Sequence, residues 1–422
     1  MNKTNALACK IFHDLNENDY SSNVFFSPYS IYVALTMLLE GATDDAKKEV
    51  VKALGLEPSN DILSTKEVIW NVANSLWHHN EYSINKDFIK TLADEYHADI
   101  FKKDFGNSET VAEVNKWVDE KTSGKITNII DSFQPLDVAI LMNAVYFKGK
   151  WAEQFDAKDT RLDTFYTIDG NEIKVSMMRL KDDFRYFIDD SQDSHVQIVE
   201  IPYKGDSVSM VIAMPMEPEP LGKGEALIKG LKNVCFNELN GAINIGETRK
   251  VLLNDPKQIK SLKAWAKEKY IKILSCNFDK NVECEESPNQ TFFSTITEEK
   301  VGKWFTALDK YHPGEIILKM PKYKFEDSME LVDIFNNFGI KKIFKVGGLT
   351  RIAETVYVSK ILHKSFIEVD EEGTEAAAVT AMMMRCMAMG RIFEFTVNRP
   401  FVFFIRHKET NTIMFMGKMG KI

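Results

Sequence analysis

The sequence predicts an α+β fold with large mixed sheets. Three observations carry this: helical periodicity fills the front of the chain, strand alternation fills the back, and no linker separates them. No Gly/Ser/Pro-rich or low-complexity tract divides the 422 residues, and 12 prolines in all are too few to build one. A hydrophobic fraction of 44% is ample for a large core, because burial efficiency grows with chain size.

The elements follow in order. Residues 3–17 read as an amphipathic helix with Leu7, Ile11, Phe12 and Leu15 on its apolar stripe, and further helices are expected over 28–40, 44–54 and 85–97. A helix over 109–122 carries Val114, Trp117 and Val118 on one stripe and stops at Ser123-Gly124. Strand-like runs occupy 138–147, 163–177, 195–202 and 207–214. After a long intervening stretch, 315–325 and 355–370 alternate as strands, followed by 392–405 and 412–420.

Composition and motifs exclude several classes. A net charge of -9 argues against nucleic acid as the main partner. No stretch approaches the ~18 apolar residues of a membrane span. The first residues, Met1-Asn2-Lys3-Thr4-Asn5-Ala6, lack the apolar core of a cleavable signal peptide, so a cytoplasmic site of action, or export by a leaderless route, is expected. Five cysteines, an odd number, suit free thiols in a reducing compartment; Cys276 and Cys284 would pair only in an exported protein, and their spacing matches no zinc pattern. Sequons at Asn2 and Asn289 carry meaning only in the secretory pathway. There is no Gly-x-Ser-x-Gly elbow, His-Glu-x-x-His, phosphate loop or Cys-x-x-Cys, and Gly222-Lys223-Gly224 is too short to cradle phosphates. His78-His79 beside Glu81 shows no ligand periodicity. Neither an enzyme nor a cofactor or metal binder is expected.

The most informative stretch is Glu371-Glu372-Gly373-Thr374-Glu375-Ala376-Ala377-Ala378, which runs into a Met-rich segment from Val379 to Arg391. Loops usually carry Gly, Pro, Asn and Asp, whereas this one carries Thr, Ala, Val and Met. In strand form Thr374, Ala376, Ala378 and Thr380 would share one face, all small enough to slide under a packed layer. The segment reads as an exposed loop able to become a buried strand.

Those residues resemble the proximal hinge and reactive-centre loop of the serpins. The resemblance extends along nearly the whole chain in the right order. Asn23-Val24-Phe25-Phe26-Ser27-Pro28-Tyr29-Ser30-Ile31 is similar to the family's early strand-to-helix junction. Asn143-Ala144-Val145-Tyr146-Phe147-Lys148-Gly149-Lys150-Trp151 is similar to its central strand, and His363-Lys364-Ser365 to the strand leading into the hinge. Asn398-Arg399-Pro400-Phe401 and Phe415-Met416-Gly417-Lys418 match its C-terminal strands. The spacing is most like the ovalbumin-type intracellular branch.

The resemblance implies one monomeric serpin domain over residues 1–422, with three mixed sheets, about eight or nine helices and a reactive-centre loop over about 371–394. It implies a suicide substrate of serine proteases that captures its target covalently and inserts the cleaved loop as a new strand. Ser27, Ser30, Asn143 and His363 would form the shutter under the main sheet, and Trp151 would mark the breach. The rival class is a non-inhibitory carrier or chaperone of the same fold. Such proteins carry a charged or bulky residue early in the hinge, where this chain has Thr374, Ala376 and Ala378. Family spacing from Gly373 puts the scissile bond at Met387–Ala388, suiting chymotrypsin- or elastase-like pockets; Arg385–Cys386 is the alternative for a trypsin-like one.

Two departures from the pattern stand out. The chain is short between Leu54 and Asn71, so the family's glycosaminoglycan-binding helix is expected to be vestigial. Met214-Pro215 and Met320-Pro321 lie 106 positions apart, which places an unusual insertion at about 243–305. Within it Asp255-Pro256 makes a good helix start. Ile259, Leu262, Trp265 and Ala266 fall on one face, with Lys257, Lys260, Lys263 and Lys267 on or near another. The lysines are a candidate exosite for a glycosaminoglycan, another polyanion or the protease; the plainer reading is a solvated basic face.

Overall fold

The computed structural model describes residues 3–55, 69–190, 195–216, 225–229, 243–245, 248–252, 272–277, 292–374 and 393–422. The chain divides into two compact units. One comprises Met1–Phe187, Ile198–Met214 and Ile296–Ile422; the other comprises Ile188–Gln197 and Pro215–Thr295. The second unit contains a four-stranded antiparallel sheet in the order Ile243–Ile245, Thr248–Leu252, Glu225–Lys229, Lys272–Asn277.

The first unit is built on a six-stranded mixed sheet. Its order is Tyr323–Glu330, Val358–Val369, Gly373–Thr374, Ala139–Lys150, Ile69–His79, Asp99–Lys103. A larger nine-stranded sheet includes Val24–Phe26, Thr412–Met419, Phe401–His407 and Val208–Pro215 as consecutive neighbours. Phe25, Phe147, Tyr203, Phe403 and Phe415 share one core cluster. Phe25 stacks on Phe415, with ring centroids 5.3 Å apart.

The helix Pro28–Glu40 is buried along nearly its whole length. Ser27 caps it by accepting the Ser30 N–H, and Pro28 occupies the first turn, where a missing N–H costs nothing. In Ser108–Lys121 the residues Val114, Trp117 and Val118 are buried, as their spacing predicts.

Three expected strands are each two. The run 163–177 is a hairpin of Arg161–Tyr166 and Glu172–Asp189, turned at Asp169-Gly170, where Gly170 has φ +79°. The run 315–325 divides into Gly314–Pro321 and Tyr323–Glu330, which belong to different sheets. The run 392–405 divides into Phe393–Thr396 and Phe401–His407, with Pro400 lacking a ladder N–H between them. Strands Ile69–His79 and Asp99–Lys103 and helices Glu298–Lys310 and Leu331–Asn337 had no counterpart in the sequence reading. Glu298–Lys310 buries Val301, Trp304, Phe305 and Leu308, so the last residues of the 243–305 range belong to the first unit.

Candidate functional site

The main sheet is forked. Ala139–Lys150 and Val358–Val369 run parallel and pair directly from Val358 opposite Ala139 to Phe366 opposite Tyr146. Beyond that point they part, and Gly373–Thr374 lies between them. Thr374 is opposite Val369 on one side and Gly149 on the other, and Gly373 is opposite Lys150. Gly373 has φ +154°, and a Cβ there would lie 2.1 Å from the Gly149 carbonyl oxygen, so only glycine fits.

Thr374 is fully buried. Its Oγ1 is 2.8 Å from the hydroxyl of Tyr203, whose ring stacks on Trp151 with centroids 4.6 Å apart. Burial pushes the Tyr203 hydroxyl well above the usual phenol range, so it stays a neutral hydrogen-bonding group. Trp151 holds the turn entering the hinge: its Nε1 donates to Asp370 O at 3.0 Å, and its main-chain N–H donates to Glu372 O at 3.1 Å. The Asp370 carboxylate accepts the N–H groups of Glu372 and Gly373. Glu371 accepts from Lys322 Nζ at 2.6 Å and from Thr160 Oγ1 at 2.8 Å. Burial alone would raise the Glu371 carboxyl, but the bonds from Lys322 and Thr160 outweigh it and hold the group below the usual range.

A second polar group lies within the buried core. Ser27, Ser30, Asn143 and His363 are all 0% exposed and joined in one network. His363 Nε2 accepts the Ser27 N–H at 3.2 Å, which leaves Nδ1 to donate to Asn143 Oδ1 at 2.5 Å. Asn143 Nδ2 donates to Ser30 Oγ and to Asn74 Oδ1. Ser27 Oγ donates to Met414 O at 2.7 Å. Burial holds the His363 imidazole neutral, with its pKa lowered to about 3. His363 and Asn143 are themselves partners across the parallel seam. Their hydrogen bond therefore spans the two paired strands.

The sequence-predicted residues fall into two groups in the structure. Ser27, Ser30, Asn143 and His363 meet in the buried network; Trp151, Glu371, Gly373 and Thr374 meet at the fork. The hinge was expected to be exposed from its start, but Gly373 and Thr374 are buried, because sheet pairing and Tyr203 take up their polar groups. Glu375, Ala376, Ala377, Ala378, Arg385, Cys386, Met387 and Ala388 lie outside the described residues, as do Lys257, Lys260, Lys263 and Lys267. The shortened stretch beyond Leu54 and any pairing of Cys276 with Cys284 also fall outside them.

Sequence reasoning missed Asn74, Tyr203, Thr160, Lys322 and Asp327. Asp327 accepts the Phe25 N–H at 2.9 Å while Ser365 Oγ donates to Phe25 O, tying the short strand Val24–Phe26 to the main sheet. Each of the missed residues acts on a partner far along the chain, so no local pattern points to it. Among the described residues no cluster of His, Cys, Asp and Glu could hold a metal, and no helix is long and apolar enough to cross a membrane.

Comparison with known proteins agrees with this geometry. The family profile described as "Serpin (serine protease inhibitor)" matches residues 2–260 and 284–422. An uncharacterized serpin-like protein of Thermococcus kodakarensis is 31% identical, over 99% of this chain and 85% of its own length. Leukocyte elastase inhibitor A of Mus musculus is 28% identical, over 98% of this chain and 96% of that protein. The native thermophilic serpin tengpin superposes with a TM-score of 0.73 at 24% identity, covering 100% of this chain and 94% of that one. Thyroxine-binding globulin, solved with thyroxine, superposes at 0.72 with 18% identity, covering 99% of this chain and 98% of that one. Family profile and fold agree, and the chain belongs to the serpin family.

Proposed function

We propose that this chain is a suicide-substrate inhibitor of serine proteases. The protease would attack the loop at Met387–Ala388 and form an acyl-enzyme. The freed loop then enters the main sheet between Val358–Val369 and Ala139–Lys150. The protease is carried to the far pole before water can deacylate it. Insertion gains a full ladder of main-chain hydrogen bonds, and the native state is held by a barrier.

The observation that carries this reading is the fork. Gly373–Thr374 already pairs with both strands between which the remaining loop would run. The residues due to follow Thr374 on the inward face, Ala376 and Ala378, are small and uncharged. A carrier or chaperone role is the rival reading, and thyroxine-binding globulin belongs to the same fold. A charged hinge side chain, which would oppose insertion, is missing from the inward face.

Incubation with a panel of serine proteases tests the proposal, read by denaturing gels and by mass spectrometry of the C-terminal fragment. Stable complexes with a fragment beginning at Ala388 are expected. A fragment beginning at Cys386 with every susceptible enzyme would instead favour a trypsin-like target through Arg385. Cleavage without any complex, and without a gain in thermal stability, would sink the inhibitor reading. Protease nexin-1, solved with heparin, has the same fold, and Lys257, Lys260, Lys263 and Lys267 are the proposed polyanion surface here.

A further inference from the structure

Arg406 is fully buried and takes no part in either site above. It ends a run, Phe401-Val402-Phe403-Phe404-Ile405, that is uniformly apolar and uniformly buried. Such a run carries little register information, because a slip of two residues along Val208–Pro215 would still bury apolar side chains. Arg406 breaks that degeneracy. Its Nη1 donates to Glu200 Oε1 at 3.2 Å, its Nη2 donates to both Asp309 carboxylate oxygens at 2.7 Å, and its Nε donates to Asn411 Oδ1 at 2.7 Å. The guanidinium also lies 4.8 Å from the centroid of the Phe305 ring. A strand, a helix and a turn thus read the position of one side chain.

The hairpin partner is irregular at the same level. Phe401–His407 pairs evenly with Thr412–Met419 as far as Ile405 opposite Phe415. Arg406 then lies opposite Ile413, so Met414 is the extra residue of a bulge. The Met414 carbonyl is the one that accepts Ser27 Oγ, and Ser27 offers its own N–H to His363.

We propose that Arg406 is a positioning residue that sets the register of the C-terminal hairpin and so delivers the Met414 carbonyl to Ser27. A two-residue slip would move every group on the strand by about 7 Å. Glu200 would then lose the Arg406 guanidinium and keep only Arg185, and Met414 would lie out of reach of Ser27. The inference stands on the hairpin alone and does not rest on protease inhibition.

Cross-strand disulfides read the register in a background with the native cysteines replaced by serine. Phe404 is opposite Val211, so Phe404→Cys with Val211→Cys reports the native pairing, and Phe404→Cys with Ala213→Cys reports the slip. With Arg406 present, only the first pair should oxidise. Arg406→Met should make the second pair oxidise measurably, because the buried contacts that oppose the slip are lost. Because that variant leaves buried Glu200 with only Arg185, at 3.5 Å, and the Ser209 hydroxyl, Glu200→Gln with Arg406→Met is measured beside it; it should recover solubility but not register. The low-field Nδ1 proton of His363 should shift in the same double variant. Native cross-linking at parental yield in that variant, with the His363 proton unmoved, would overturn the proposal.

Discussion

The Oγ1 of Thr374 lies 2.8 Å from the hydroxyl of Tyr203, beneath a sheet that has already begun to admit the hinge. On the proposed mechanism, insertion would start from a seated first residue.

Replacing that residue with a charge should separate binding from inhibition. Thr374→Arg would put a guanidinium against neutral Tyr203, and leaving it there unpaired costs roughly 3–5 kcal/mol. The two-residue bridge is expected to leave the fork while the rest of the fold survives. Protease should then cleave the variant as a substrate, with little covalent complex on denaturing gels. Complex formation at the parental ratio would show that Thr374 need not be buried.

The buried histidine makes the native state acid-sensitive. His363 is neutral in the fold, with a pKa near 3, against about 6.5 in an unfolded chain. The folded state thus binds fewer protons between these values. Its stability is fully present above the ordinary histidine range and is lost as pH falls toward 3, by up to about 1.4 kcal/mol per pH unit. Denaturant midpoints between pH 7 and 4 should fall accordingly, and His363→Gln should flatten this dependence. An identical slope in the variant would assign the acid response to other groups.

The proposed insertion should end before the helix Glu298–Lys310. Deleting residues 243–291 should leave a soluble protein with one cooperative thermal transition. Extending the deletion to 305 removes the buried Trp304 and Phe305, each worth about 3–5 kcal/mol on truncation, and should abolish soluble protein. Equal yields from both deletions would contradict the packing of Glu298–Lys310.

Oxidation should slow capture of chymotrypsin- or elastase-like enzymes. Met382, Met383, Met384, Met387 and Met389 crowd the proposed bait segment in sequence, and a sulfoxide at Met387 would suit an apolar pocket badly. Losing roughly 1.5–3 kcal/mol of apolar transfer corresponds to about one to two orders of magnitude in association rate. Met387→Leu should resist peroxide in a Cys386→Ser background. A rate unchanged by confirmed Met387 sulfoxide would remove this residue from the specificity pocket.

The hinge and the buried network were legible because their residue types are improbable in place. Small side chains in a loop, and Ser, Asn and His inside apolar runs, each demand an explanation. Tyr203 and Lys322 were not legible, since each acts on a hinge residue far along the chain. The strand Ile69–His79 was missed for a related reason. Asn74, Ser75 and His78 are buried in it, so its alternation looks broken until the Asn143 partner of Asn74 is known. The divided strands turn on Lys322 and Pro400, where the chain changes partners without losing hydrophobicity.

The two seated hinge residues also work as a ruler. Thr374 opposite Val369 and Gly149 sets the count for any strand that continues past it. If the loop inserted in that register, Thr380 would arrive opposite His363 and Asn143 together, between the two side chains whose hydrogen bond closes the seam. Its hydroxyl can accept from one and donate to the other. Separating the pair then leaves neither partner bare, and Thr380→Val should lower the melting temperature of the cleaved form more than that of the intact one. The count runs out at Met384 opposite Ala139 and Arg385 opposite Val358, the first residues of the two flanking strands. On the proposed reading, a chain cut after Met387 would have just enough length to traverse the whole sheet and leave its last residues beyond the edge.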